Sequence, residues 1–280
     1  MEEITKRDVK KLLPHRDPNS YKGQNGRVLI VGGSIDYYGA AILAGIAALG
    51  GGADLVHLLV PECNFEVSRN FYPDFIVHKY PGLFLNSRAL DEAVSIGEKC
   101  DAILLGPGIG NQEESARVVA QIVQRTQRPT VLDADGLTAL KHLQQGENIT
   151  ITPHRGEFQS LTGNLVSHDI EVSAKAVLSY ANENNLTILL KGEVDIVASP
   201  NKDVRVNTTG HPGLTVGGTG DTLAGLVASL IAGKLSPIDA CSIAAFTVGA
   251  CGENLAKHKG NGYTASDIAL EIPYVLGQLQ

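Results

Sequence analysis

The sequence predicts a three-layer α/β fold with a mostly parallel central sheet covered by helices on both faces. Three observations carry this expectation. Short β-branched runs alternate with helical patterns along the whole chain, as in parallel strands joined by right-handed crossovers. Several strands read as unbroken apolar runs, among them Val28-Leu29-Ile30-Val31, Ile103-Leu104-Leu105 and Ile188-Leu189-Leu190, as strands buried on both faces do. Glycine reaches 31 of 280 residues, well above the usual share of about 7%, which suits turns whose backbone approaches a ligand closely.

Taken in order, residues 1–23 are expected to form an N-terminal helix and extension. A strand at 27–31 runs into Gly32-Gly33-Ser34 and a helix at 39–50. Strands at 54–60 and 75–78 and a helix at 87–98 lead to a strand at 102–105, which stops at Gly106-Pro107-Gly108-Ile109-Gly110. A helix at 113–126 precedes a strand at 130–132, which ends at Asp133-Ala134-Asp135 before a helix at 136–143. The 144–148 stretch reads as an ordinary loop, and the strand at 149–152 ends at Pro153-His154. A helix at 170–184 is followed by strands at 187–190 and 196–198, and helices at 220–233, 237–257 and 265–276 complete the chain. No Pro/Ser-rich linker, charge run or repeat divides it, so residues 1–280 are expected to form one domain. Ligands of such folds bind at the carboxyl ends of the strands, where the glycine and polar loops gather.

Composition narrows the function. With 43% hydrophobic and 19% charged residues the chain has material for a sizeable core. A net charge of −7 and the absence of Trp argue against a nucleic-acid partner. The apolar runs near residues 40–53 and 223–232 fall short of the roughly 20 residues that span a bilayer. The N-terminus lacks a signal-peptide pattern. Cys63, Cys100, Cys241 and Cys251 show no CxxC or zinc spacing and sit in or beside apolar segments, as buried thiols of a reducing compartment would. A cytoplasmic location is expected. No GxSxG, HExxH or Cys/His nucleophile setting is present.

The segment richest in chemistry is Gly217-Gly218-Thr219-Gly220-Asp221-Thr222-Leu223-Ala224-Gly225. A glycine-rich loop opens directly into an apolar helix, where unpaired N–H groups and the helix dipole favour phosphate. A carboxylate there repels phosphate unless it has a task, and one task is removing a proton from a hydroxyl while the loop steadies a phosphoryl group. Helix capping by Thr219 or Asp221 is the plainer reading. Lys191-Gly192-Glu193-Val194-Asp195 reads either as a hairpin turn or as a ledge for a nucleotide. Gly106–Gly110 suits close approach to a bulky ligand but lacks both the P-loop Lys-Ser/Thr and the GxGxxG spacing. His154 ends a strand on the loaded edge, a candidate substrate contact. Glu157 reads as an acid in a helix's first turn. Asp133 and Asp135 could bind a cation, and capping accounts for Asp135 equally well. His57, His78 and His211 have no metal-like spacing.

Six motifs in one order carry a family resemblance: Tyr38-Gly39-Ala40-Ala41, Leu105 to Gly110, Leu132-Asp133-Ala134-Asp135-Gly136-Leu137, Thr152-Pro153-His154-Arg155-Gly156-Glu157, Asn207 to Leu214, and Gly217 to Gly225. Together they resemble the ADP-dependent NAD(P)H-hydrate dehydratase family of the ribokinase-like superfamily. The resemblance implies a ribokinase-like sandwich. It also implies contacts from Ala40, Gly108, His154 and Asp221 to the hydrated nucleotide, and from residues 191–195 (Lys191, Gly192, Glu193, Val194, Asp195) and Gly220 to ADP. Asp221 is then the base, the N–H groups of Gly218, Thr219 and Gly220 hold the transferring phosphoryl group, and Mg2+ assists on the nucleotide phosphates.

Two departures stand out. Arg155 occupies a position where the family usually has proline, which bears on that loop's shape. The chain also has no room for the epimerase domain to which the family is sometimes fused, so epimerisation of the other hydrate would fall to a separate protein. A kinase for a small alcohol would share the GTGD machinery, and a nucleotide-binding module without turnover would lack the base. The small-residue stretch 242–250 is either core or a contact in a homo-oligomer, with a tetramer as the expected size.

Overall fold

The computed structural model describes all residues except 145, 147, 164–166, 168 and 201–203; Gln145 and Glu147 of the expected 144–148 loop lie outside the described residues. Ten strands form one sheet: β1 (Glu2–Glu3), β2 (Arg27–Val31), β3 (Leu55–Pro61), β4 (Phe75–Tyr80), β5 (Ala102–Leu105), β6 (Thr130–Leu132), β7 (Ile149–Ile151), β8 (Thr187–Leu190), β9 (Asp195–Ala198) and β10 (Val204–Asn207). Their order is β1-β10-β9-β8-β7-β6-β5-β2-β3-β4. From β4 to β8 every pairing is parallel. The β8–β9 and β9–β10 pairs are antiparallel, and β1 adds in parallel to β10. The 191–195 segment is therefore the turn between two antiparallel neighbours, β8 and β9.

One face of the sheet packs on α2 (Ala40–Gly50), α8 (Thr219–Ala232), α9 (Pro237–Lys259) and α10 (Ala265–Gly277). The other packs on α4 (Leu90–Gly97), α5 (Glu113–Thr126) and α7 (Ile170–Asn184). Strand residues alternate between the two cores: Val28 and Ile30 enter the first, Leu29 and Val31 the second. Residues 242–249 of α9 are buried within this one chain, so the small-residue stretch serves the core. No described helix is long and apolar enough to cross a membrane.

Several details depart from the sequence expectation. The extension contains only a short helix, α1 (Lys6–Leu12), closed by a Thr5–Asp8 capping box; Glu2–Glu3 is a strand. The helix expected at 136–143 is a 3-10 helix over Ala134–His142. Two helices, α3 (Phe65–Phe71) and α6 (Arg155–Thr162), and strands β1 and β10 are additional. Cys63 is exposed, whereas the other three thiols are buried.

The tightest helix crossing is that of α8 on α2. A β-carbon at Gly225 would lie 2.1 Å from the Ala44 carbonyl oxygen, so only glycine lets the two backbones meet. Normally Gly→Ala inside a helix gains about 1 kcal/mol; here the obstacle is backbone, which cannot rotate away. Gly225→Val is expected to cost about 3 kcal/mol through overpacking. Calorimetry should show Tm lower by on the order of 10 °C.

Candidate active site

The loops that follow β2, β5, β6, β7 and β8 converge at one edge of the sheet, facing the start of α8. Glycine closes the gaps between them. A β-carbon at Gly106 (φ +126°) would lie 1.9 Å from the Asp133 carbonyl oxygen, and one at Gly136 would lie 2.4 Å from that of Leu105. The loops after β5 and β6 thus touch backbone to backbone. Gly108 (φ +65°) faces Tyr37 and Ala40, and a β-carbon there would stand 3.0 Å from that of Ala40. Gly33 N–H donates to the Pro107 carbonyl at 2.8 Å, tying the loop before α2 to the same place. Two of the expected substrate contacts, Ala40 and Gly108, are therefore immediate neighbours.

Gly218 precedes α8 with φ +95° and no side chain caps the helix, so the capping roles considered for Thr219 and Asp221 are not what the structure shows. The Thr219 hydroxyl donates to the Val216 carbonyl (2.9 Å), and its N–H turns to the same oxygen (3.4 Å). Of the three N–H groups expected to hold a phosphoryl group, that of Thr219 is thus engaged within the loop, while the N–H groups of a helix's first turn have no intrahelical partner. A β-carbon at Gly218 would meet Leu43 of α2 at 2.6 Å, which sets the loop beside the helix that Ala40 begins.

The charged groups form one cluster. Lys191, at the end of β8, places Nζ 2.7 Å from Oδ1 of Asp133, at the end of β6. Asp133 is 1% exposed and also accepts the Thr152 hydroxyl at 2.7 Å. The ammonium lies 3.1 Å from where a β-carbon of Gly220 would be. Burial alone would lower the Lys191 pKa, but Asp133, Glu157 and Asp221 outweigh it and raise it, so the group is an ammonium. Burial pushes the Asp221 carboxyl up to about 7, with Asp133, Asp135 and Glu157 adding to the rise and Lys191 opposing it. Such a value suits a base working near neutrality. Asp135 does not cap: its Oδ2 accepts the Gly110 N–H at 3.0 Å, binding the glycine loop to the 3-10 helix, and its pKa is raised chiefly by burial.

His154 caps α6, with Nδ1 accepting the Glu157 N–H (3.1 Å) while Glu157 accepts the His154 N–H (2.7 Å). The imidazole remains exposed at the cleft edge, and His154 pairs through a bridge with Lys191. Arg155 is the first residue of α6, a position that also accommodates proline, and His154 has the extended backbone (φ −79°, ψ 170°) that a residue before proline adopts. The loop shape thus permits either residue. The Arg155 guanidinium donates to the Ser167 carbonyl (2.9 Å) and lies against Gly192.

Within the 191–195 turn, Lys191 faces the Asp221 cluster, whereas Asp195 turns inward. The Asp195 carboxylate accepts the Gly192 N–H and the Asn207 side-chain amide, both at 3.0 Å, and burial raises its pKa to about 6. It shapes the turn. His57 and His78 are hydrogen-bonded to each other (3.0 Å) away from this cluster, and His211 bonds Tyr263 and the Gly213 N–H. Among the described residues, no group of three or more His, Cys, Asp or Glu side chains is arranged to hold a metal ion.

The comparison with known proteins fits this geometry. The model of the NAD(P)H-hydrate dehydratase family matches residues 28–274. This chain belongs to that family. It is 36% identical to the ADP-dependent (S)-NAD(P)H-hydrate dehydratase of Cenarchaeum symbiosum, covering 96% of this chain and 94% of that one. It is 41% identical to the bifunctional NAD(P)H-hydrate repair enzyme of Methanothermobacter thermautotrophicus over 94% of its own residues, and spans about half the length (52%) of that relative. The solved ADP/ATP-dependent NAD(P)H-hydrate dehydratase from Bacillus subtilis, co-crystallised with ATP and Mg2+, is 28% identical and superposes with a TM-score of 0.88, covering 100% of this chain and 99% of that one. The ribokinase-like sandwich expected from the resemblance is the fold observed.

The dehydratase-family cleft carries a titration signature. Asp221 holds its proton more tightly folded than unfolded, so its contribution to stability is full below the unfolded value near 4 and is lost as pH rises through about 7. Asp221→Asn removes that loss. Its Tm should exceed that of wild type at pH 8 and converge on it near pH 4, as scanning calorimetry across pH would record.

Proposed function

We propose that this chain is a nucleotide-repair lyase that dehydrates the S-form of hydrated NADH or NADPH to NAD(P)H, consuming ADP, with ATP as a second donor. The observation that carries the reading is a half-buried carboxyl group, Asp221, whose pKa is pushed up to about 7, placed one residue from a glycine-rich helix start and beside the Lys191 ammonium. The names of the relatives supply the reaction class.

In this reading Asp221 takes the proton of the ring hydroxyl as its oxygen attacks the terminal phosphorus of ADP, and AMP leaves. The Gly218 and Gly220 N–H groups and Lys191 stabilise the charge on the transferring phosphoryl oxygens. The C6–O bond then breaks, the ring nitrogen's lone pair assisting, and loss of a C5 proton completes the double bond, giving NAD(P)H and phosphate. Ala40, Gly108 and His154 line the side from which the hydrated nucleotide enters. The turn at Lys191, Gly192, Glu193, Val194 and Asp195, with Gly220, takes the adenine nucleotide.

The cleft suits Mg2+ carried on the nucleotide: Asp133 is committed to Lys191 and Thr152 and Glu157 to His154, while Asp135, whose Oδ2 accepts the Gly110 N–H, would offer Oδ1 as a hard oxygen donor for an ion that keeps most of its waters. Bound there, Mg2+ would neutralise developing phosphate charge. Residues 1–280 act as one dehydratase unit in this proposal, supported by the single continuous sheet. A homo-oligomer, with a tetramer as the expected size, draws support from the exposed apolar side chains Ile35, Tyr37, Tyr38 and Leu83, gathered by the Ile35 N–H to Leu83 carbonyl bond. A cytoplasmic location and cooperation with an epimerase for the other hydrate isomer complete the reading, the bifunctional relatives supporting the latter.

The test is recovery of reduced-nicotinamide absorbance when the purified protein meets NADH-hydrate, magnesium and ADP or ATP. Recovery that requires nucleotide, with AMP and phosphate accumulating from ADP, is expected; nucleotide binding without recovery would instead point to an alcohol kinase. Asp221→Asn should retain ADP binding and lose on the order of 10²–10⁴ in turnover. A variant keeping about a tenth of the wild-type rate would remove Asp221 from the role of base.

A further inference from the structure

We infer that Asp133 is the positioning residue for Lys191, holding its ammonium at Gly220 and away from Asp221; the inference rests on the proposed placement of the nucleotide phosphate at that loop. Lysine carries a flexible four-carbon stem. In a cleft with several carboxylates its ammonium has competing partners, namely Asp221 from α8 and Glu157 from α6. An ammonium resting on Asp221 would hold that carboxylate ionised but engage the oxygen a base needs, and would leave the phosphate without its cation.

Three features make Asp133 the partner that prevails. Its carboxylate is desolvated, which strengthens the attraction. Its Oδ1 accepts both Lys191 Nζ and the Thr152 hydroxyl, each at 2.7 Å, so the acceptor cannot swing. Its backbone is fixed as well. The Asp133 N–H donates to the Leu105 carbonyl (3.2 Å), its own carbonyl accepts the Gly136 N–H (3.0 Å), and Gly106 leaves no space beside that carbonyl. The next residue, Ala134, takes φ +50°, a left-handed conformation that costs a non-glycine residue energy and persists only where the surroundings enforce it. The chain thus turns sharply just after Asp133, so that its side chain meets Lys191 across the intervening strand β7.

The ammonium so held lies 3.1 Å from the position a β-carbon would take at Gly220. A side chain there would push it aside, and an anion at the start of α8 would meet it. The proposed effect of Asp133 passes through Lys191, whose ammonium stands nearer the Gly220 position than the Asp133 Oδ2 does (3.1 against 3.9 Å).

A double-mutant cycle read by ADP binding, with no turnover required, tests this on the full chain. Lys191→Met and Asp133→Ala should each weaken ADP affinity about tenfold or more, as loss of a charge-assisted contact does. The double variant should bind within about twofold of Lys191→Met, because Asp133 has nothing left to position. Independent losses that multiply in the double variant, or wild-type affinity in Asp133→Ala, would overturn the inference. Should Asp133→Ala not fold, the isosteric Asp133→Asn takes its place in the cycle with the same expected pattern and the same overturning results. A second readout separates this from the base assignment. Lys191→Met strands a buried carboxylate and should lower Tm, and adding Asp133→Asn should restore it; no restoration would count against the pairing. If Asp221→Asn kept its turnover, the dehydration mechanism would fall while the binding cycle still reported on Asp133.

Discussion

The site depends on backbone meeting backbone where no β-carbon fits. Gly106 against Asp133, Gly136 against Leu105 and Gly225 against Ala44 are contacts in which a side chain would collide with a carbonyl oxygen. Each joins two elements carrying chemistry. The first two fuse the loops after β5 and β6, and the third seats α8 against α2. The glycine loop at the start of α8 and the loops after β5 and β6 are therefore seated by joints that have no side chain to repack. A site for phosphoryl transfer works by positioning, and such joints provide it.

Electrostatics explains why this cluster suits an anionic ligand only in part until one binds. Three carboxylates, Asp133, Glu157 and Asp221, act on Lys191, a fourth, Asp135, acts on Asp221, and the first is spent on holding the lysine. Burial first, and then the neighbouring carboxylates led by Asp133, keep the Asp221 pKa high, and the same negative charge repels phosphate. In the proposed reading, the helix start at Gly218 and Gly220 and a cation carried by the nucleotide offset that repulsion. Affinity for the nucleotide and basicity of Asp221 are therefore two outcomes of one charge distribution, and neither can be changed alone.

Much of this was legible in the sequence for identifiable reasons. The strands β2, β5 and β8 announce themselves as apolar runs, and the loops that follow strands carried the chemistry. Asp221 was singled out because a carboxylate beside a phosphate loop needs a reason. Other features were hidden. β1 has only two residues, both exposed, and exists because β10 offers it an edge. α6 is capped by histidine, which is not among the side chains that usually mark a helix start. The Asp133–Lys191 pair joins residues 58 positions apart, and no local pattern reports it; the usable signal was that both directly follow strands, β6 and β8, which flank β7. The 191–195 segment reads in sequence as a hairpin turn or a nucleotide ledge, and the part Asp195 plays in bracing that turn depends on burial and on Asn207, which residue type does not report.

The far edge of the sheet gives the chain's beginning a mechanical connection to the nucleotide turn. Glu2–Glu3 pairs with β10, Ile4 N–H donates to the Val206 carbonyl (2.8 Å), and Glu3 accepts the Thr208 hydroxyl (2.7 Å). One residue along, Asn207 grips Asp195, which in turn shapes the loop that presents Lys191. Release of this two-residue strand would take away the outer support of β10, which is coupled to the lysine-bearing turn by its ladder with β9 and by the Asn207 amide. The stiffness of the turn that carries Lys191 is thus set in part at the outermost strand of the sheet, far from the cleft itself.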